Sequence, residues 1–145
     1  MKIITQRVKE ASVIVENNTV GKIGKGVLVF LGIHHNDTQK QARWLVEKVI
    51  NLRQFIDDEG KMNLSLKDVD GELLIISQFT LYGECEKGRR PSFTESAPPE
   101  VAIPLYEQFI KLARQSIPKV ETGIFGAKME ISLINDGPVT FIIEK

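Results

Sequence analysis

The sequence has little of what carries most enzyme chemistry. Its single cysteine, Cys85, excludes an internal disulfide and fits a reducing compartment. It holds no HExxH, no CxxC pair, no P-loop lysine motif and no GxSxG elbow. No apolar run reaches the roughly 18 residues that a membrane-crossing helix needs. The opening "MKIITQRVKE" carries Lys2, Arg7 and Lys9 where a signal peptide needs an apolar core. There is no charge excess either: 19 Lys+Arg stand against 19 Asp+Glu. Coating a nucleic acid along its length requires a basic surface, so that class is disfavoured, while a grip on one end of an RNA stays open. The expectation is a soluble, cytoplasmic protein without a membrane partner.

What is present is one domain's worth of chain, 145 residues, enough to bury roughly 70% of its unfolded surface without staples. No repeat, linker or low-complexity tract divides it. Residues 2–8 alternate as a strand does, and "ASVIVENNTVGKI" reads as two short strands around a turn at 16–19. "GVLVFLGI" is a nearly continuous apolar run, the pattern of a strand buried on both faces, and "GELLIISQFTL" is a second apolar strand that turns polar at its end. Between them Ala42, Leu45, Val46, Val49 and Ile50 form one helical stripe, ending near Leu52 or Arg53, with Asp37 as its expected cap. A turn at 57–60 and a short extended piece around Leu64 and Leu66 follow. A second helix is expected over 99–116, with Ser96 as candidate cap and Leu105, Phe109, Leu112 and Ala113 on its buried face. Strands at 119–124, 129–134 and 139–144 close the chain. The order β-β-β-β-α-β-α-β-β-β predicts a mixed α/β domain, two helices packed on a mixed sheet, with strand edges that dimerisation would cover.

Four stretches bear on function. His34 and His35 are neighbours, and alternation along a strand would send them to opposite faces, which disfavours a shared metal. "GKIGKG" lies between strands, so it reads as a turn and not as a phosphate cradle, which needs a helix N-terminus after it. "SQFTL" turns a buried strand polar at its end. Alternation sets Ser77, Phe79 and Leu81 on one side, with Gln78 and Thr80 on the other. Thr80 lacks a neighbouring base, so it is a poor nucleophile by itself. It can offer a hydroxyl or amide to an oxyanion, or simply bond to backbone at a strand edge, the more ordinary account of Ser and Thr there. "KGRRPSF" gathers Lys87, Arg89 and Arg90 beside Phe93; this suits phosphate contact and base stacking and equally suits a solvated loop tip.

The last stretch, "INDGPVT", sets a proline directly after a turn glycine. Gly137 lets a ligand approach its backbone, and Pro138 adds a carbonyl without a donor, so the pair is a stiff wall of carbonyl oxygens. An X–Pro bond is cis in only about 5–6% of folded cases, so an ordinary trans turn is the default.

"SQFTL", "KGRRPSF" and "TGIFGAKMEISLINDGPVT", in this order and separation, resemble the D-aminoacyl-tRNA deacylases, and the likeness runs over essentially the whole chain. The resemblance implies a partial barrel with two helices packed on it, and a homodimer joined across strand edges. It places the active sites at the subunit interface, with Gly137 and Pro138 in a cis linkage inserted into the partner's pocket. There the two carbonyls would hold the substrate's α-amino group and exclude L side chains, while D-amino acids and glycine fit. Ser77, Gln78, Phe79 and Thr80 would form the pocket floor, and Lys87, Arg89 and Arg90 would hold the tRNA acceptor end. No metal or organic cofactor is implied. A non-catalytic module that binds amino-acid or peptide termini through the same wall is the competing reading.

Overall fold

The computed structural model describes residues 1–145. Strand β1 (Lys2–Val15) is long, and β2 (Asn18–Ile23) and β3 (Gly26–Gly32) both lie along one of its edges. Helix α1 (Gln39–Asn51) and the small ribbon β4 (Phe55–Ile56) with β5 (Met62–Leu64) lead to β6 (Glu72–Ser77). A short 3-10 turn, Phe79–Tyr82, precedes α2 (Pro99–Arg114), β7 (Val120–Thr122) and β8 (Glu130–Glu144). The sheet runs β2-β1-β3-β6-β7, with β8 on the free edge of β1. Strands β3, β6 and β7 are mutually parallel, as crossovers through α1 and α2 require. Gly21 of β2 packs so closely on β7 that a Cβ there would sit 2.9 Å from the Thr122 carbonyl. The sheet thereby curls into a nearly closed barrel with two helices outside it.

Two cores explain the apolar runs. Val27, Val29, Leu31, Leu73 and Ile75 face the helices, meeting Leu45, Val49, Leu105 and Phe109. Leu28, Leu74 and Ile76 face the barrel interior, meeting Val8, Val13 and Ile23. β3 and β6 are thus buried on both faces.

The first two expected strands are one. β1 keeps its direction because a bulge near Lys9 and Glu10 absorbs the change: Ile3, Thr5 and Arg7 point to one core, Ala11 and Val13 to the other. The last two expected strands are also one. β8 pairs with β1 antiparallel on both sides of its kink, Thr140 opposite Gln6 and Asn135 opposite Val8, so the chain never reverses at "NDGP". Those residues are an excursion within a strand, and a hairpin turn is excluded because both halves run along the same partner.

The caps differ from expectation as well. Thr38 caps α1 in a capping box with Gln41. Asp37 is drawn elsewhere: its carboxylate accepts from the Met1 ammonium at 2.6 Å and from the His34 amide at 2.7 Å. Pro98 occupies the cap position of α2, and Ser96 Oγ instead donates to the Phe79 carbonyl at 2.8 Å. No helix is long and apolar enough to cross a membrane.

Candidate active site

A cavity of about 260 Å³ opens beyond the carboxyl ends of the parallel strands β3 and β6. That is where ligands collect in open parallel sheets, because the strand ends and the loops after them leave a crevice. Leu31 and Ile33 reach it from β3 and its exit, and Phe125, Met129 and Ile131 from the approach to β8 and its first residues. Nine of its twelve lining residues are hydrophobic. Ser77 and Gln78 supply its polar side chains, with Phe79 beside them at the mouth.

The mouth is a junction, not the end of an alternating strand. β6 stops at Ser77, the Gln78 amide donates to the Leu31 carbonyl at 2.8 Å, and the chain then winds into the 3-10 turn. The expected division of Ser77, Phe79 and Leu81 from Gln78 and Thr80 therefore fails, since period two ends where the turn begins. The turn's first internal bond runs from the Leu81 amide to the Gln78 carbonyl. The amides of Phe79 and Thr80 come before it, so they have no partner within the turn. Phe79 is 58% exposed. Thr80 is exposed, and its hydroxyl accepts from Gln78 Nε2 at 2.5 Å. An amide cannot take up a proton, so this partner does not activate Thr80 as a nucleophile. Tyr82 closes the turn, its hydroxyl held protonated by burial, with Asp37 and Glu144 adding to the effect.

The loop after the turn is less open than its composition suggests. Glu84 and Ser92 exchange backbone hydrogen bonds of 2.8 and 3.0 Å, making a small hairpin with Lys87, Arg89 and Arg90 exposed at its tip. Its return arm is pinned to the exit of β3, where His34 pairs with Ser96. His34 and His35 lie past the end of β3, so strand alternation does not separate them: their rings are 4.0 Å apart, and both approach Glu95. His34 Nδ1 accepts from the Asn36 amide at 3.1 Å and Nε2 lies 2.9 Å from Glu95 Oε2, which commits both ring nitrogens to hydrogen bonds. Glu95 is thereby held below the usual carboxylate range, chiefly by the His34 bond, with His35 assisting.

Gly137 and Pro138 are not in this pocket. They stand exposed on the kink of β8, and the bond between them is cis, not the trans default. The kink is held from beneath. Arg7, 5% exposed, donates from Nε to the Asp136 carbonyl at 3.0 Å and pairs with the Asp136 carboxylate at the same distance. Its Nη1 donates to the Gln54 carbonyl at 2.6 Å. Asn135 Nδ2 donates to the carbonyls of Arg7 at 2.9 Å and Val139 at 3.3 Å, and the Val139 side chain is buried as a plug. Sequence reading missed Arg7, Gln54 and Asn135 as supports, and Phe125 and Met129 as pocket walls. Arg7 did leave a signal: it is a cation at the third inward position after Ile3 and Thr5.

The fold and this cavity define a single-domain mixed α/β protein with a preformed, mostly apolar ligand pocket at the ends of two parallel strands. The family model for D-Tyr-tRNA(Tyr) deacylase matches residues 4–144, and the chain belongs to that family. It is 58% identical over 144 residues to the D-aminoacyl-tRNA deacylase of Thermosipho africanus, covering 99% of this chain and 97% of that one. Among solved structures, the c-Myc DNA Unwinding Element Binding Protein superposes with a TM-score of 0.94 at 40% identity, covering 100% of this chain and 99% of the other. A probable eukaryotic D-amino acid tRNA deacylase superposes with a TM-score of 0.85 at 20% identity over 98% and 97% of the two chains, a likeness of fold.

Proposed function

We propose that this protein is a hydrolase that cleaves the ester joining a D-amino acid, or achiral glycine, to the end of tRNA, working as a homodimer. Membership of the deacylase family and the close, full-length relatives support the activity. The observation that carries the dimer reading is the placement of the Gly137–Pro138 wall. It is firmly supported inside its own chain, yet exposed and absent from the lining of its own pocket. A second copy presenting its wall to this pocket completes the site, and the exposed Ile134 and Ile142 on the same strand suit burial in such an interface.

In this reading the terminal adenosine lies in the apolar cavity, with its ester carbonyl at the mouth. The partner's two carbonyl oxygens accept from the α-amino group. Held there, an L side chain has no room, a D side chain projects outward, and glycine has nothing to exclude. Water attacks the ester carbon, and the amides of Phe79 and Thr80 stabilise the oxyanion that forms. The ribose 2′-hydroxyl does the activating and relays the proton, and the intermediate collapses to free amino acid and tRNA. Positioning and oxyanion stabilisation supply the rate without a side-chain base, which agrees with the Gln78 amide as Thr80's partner. Lys87, Arg89 and Arg90 hold the acceptor end.

The test is release of D-tyrosine from D-tyrosyl-tRNA with the L-ester as control. Fast release from the D-ester alone is expected. Equal rates defeat the chirality gauge, and binding without release favours the terminus-binding module. A tRNA ending in 2′-deoxyadenosine should be cleaved poorly; normal cleavage removes the 2′-hydroxyl from the mechanism. Sedimentation at micromolar concentration should give twice the 16.3 kDa chain mass.

A further inference from the structure

The chemistry at the pocket mouth uses the amide of Phe79 but not its ring. Phe79 and Phe93 meet edge to face, their ring centroids 5.1 Å apart at 66°. Both are exposed, at 58% and 39%. Two phenylalanines this open cost apolar surface left in water, and together they form an aromatic step beside the cavity that Phe79 lines. The step is rigid. Phe93 lies so tightly on Gly83 that a Cβ there would sit 3.0 Å from its ring. Ser96 Oγ fastens the Phe79 carbonyl, and the Glu84–Ser92 pair fixes the hairpin that carries Phe93. The same hairpin bears Lys87, Arg89 and Arg90 at its tip.

We propose that the Phe79–Phe93 step is the stacking platform for the single-stranded nucleotides just before the terminal adenosine, with the hairpin's cations on their phosphates. This rests on the reading that the terminal nucleoside fills the cavity. Three features select RNA as occupant. The step is continuous with the cavity, since Phe79 belongs to both. Aromatic faces bind bases with little regard to sequence, which suits an end common to all tRNAs. Cations at the tip of the hairpin that carries Phe93 complement a phosphate backbone, whereas a purely apolar partner surface would not call for them. A chain of zero net charge needs such a local device to hold RNA at all.

The experiment measures binding of an uncharged acceptor minihelix ending in single-stranded C-C-A, and of the same duplex trimmed blunt, by fluorescence anisotropy at two salt concentrations. Phe93→Leu keeps apolar bulk against Gly83 and Phe79 but removes the π face; Phe93→Tyr keeps it. Leucine is expected to weaken binding of the C-C-A minihelix about tenfold relative to the blunt duplex, and tyrosine to restore it. Arg89→Gln with Arg90→Gln should flatten the salt dependence by about two counterions' worth. In kinetics, the advantage in kcat/KM of a C-C-A trinucleotide D-ester over the D-aminoacyl-adenosine ester should shrink about tenfold in Phe93→Leu. Equal binding by wild type and Phe93→Leu overturns the platform. So does a shift of the sedimenting species in Phe93→Leu, which would assign the pair to the contact between copies. If neither D-ester is hydrolysed while leucine still weakens C-C-A binding, the platform stands and the hydrolase reading falls.

Discussion

At the pocket mouth, polar groups sit at the end of a strand that is buried on both faces, and the core itself sets their position. At the Gly137–Pro138 kink, the polar groups sit on the outermost strand, and a buried cation and an amide side chain hold them from behind. The kink lies outside the lining of its own chain's pocket, yet Arg7, Asn135 and the Val139 plug hold it from beneath. Backbone groups fixed that way and turned outward are suited to meeting something from outside. That difference is the reason for reading the site as shared between two copies.

The comparison breaks most sharply at Gly137. A Cβ there would lie 2.6 Å from Asn135 Oδ1, the oxygen of the amide whose nitrogen bonds the Arg7 and Val139 carbonyls. Gly137→Ala forces that amide to turn. We expect kcat/KM on D-tyrosyl-tRNA to fall about 100-fold, because a misplaced wall costs alignment. Chemical denaturation should show a loss of only about 1 kcal/mol, one or two hydrogen bonds. Unchanged kinetics with lowered stability would make the kink a structural feature only.

Arg7 is the next largest effect. Arg7→Met keeps an unbranched apolar stem but lacks the guanidinium, and so leaves the Asp136 and Gln54 carbonyls without their donor. A loss of about 2–3 kcal/mol is expected, discounted because the Asp136 carboxylate is partly solvated. Activity should fall about tenfold at temperatures where the variant remains folded. Arg7→Lys should not rescue it, since an ammonium cannot serve both carbonyls with a planar fork. Full rescue by lysine would mean that charge alone supports the kink.

How much of this could be read from the residues follows from the range of the forces involved. The helices and the doubly buried strands were legible because their signals are local and periodic: Ala42 to Ile50 and "GVLVF" need no partner to be recognised. The two site stretches were legible as motifs but not as shapes. "SQFTL" reads as strand to its end, yet the chain tightens into a turn after the Gln78 amide bonds to Leu31, a residue 47 positions away. "NDGP" has the composition of a turn, yet it lies within a strand because β1 is long enough to pair with both of its flanks. Asp37 looked like a cap until the N-terminal ammonium, brought by the fold, took its carboxylate. In each case a contact distant in sequence overrode the local preference.

In the turn just past the mouth, Thr80→Ala separates positioning from nucleophilic chemistry. Removing a true nucleophile costs about 10⁴-fold or more. Losing only the hydroxyl that Gln78 grips should cost no more than about tenfold, one hydrogen bond's worth of order. Turnover abolished with the fold intact would restore Thr80 as the attacking group.

The smallest effect concerns the hairpin's anchorage. Glu95 joins the return arm to His34 and His35, and its carboxyl is held below its ordinary value of 4.5 chiefly by the His34 hydrogen bond. A carboxylate whose folded pKa is depressed stabilises the folded arm at pH values above the ordinary one, and that contribution is lost as pH falls through the lowered value. The arm should therefore loosen only on acidification below about 4.5 and stay indifferent to pH well above it as far as Glu95 is concerned. Amide chemical shifts of Phe93 and Ser96 followed by NMR should move in that acidic window in the wild type and stay flat in Glu95→Gln. Exposure keeps the effect modest, because water screens the pair. Identical titrations in the two proteins would leave the backbone pairing of His34 with Ser96 as the anchor, with the Glu95 carboxylate contributing nothing.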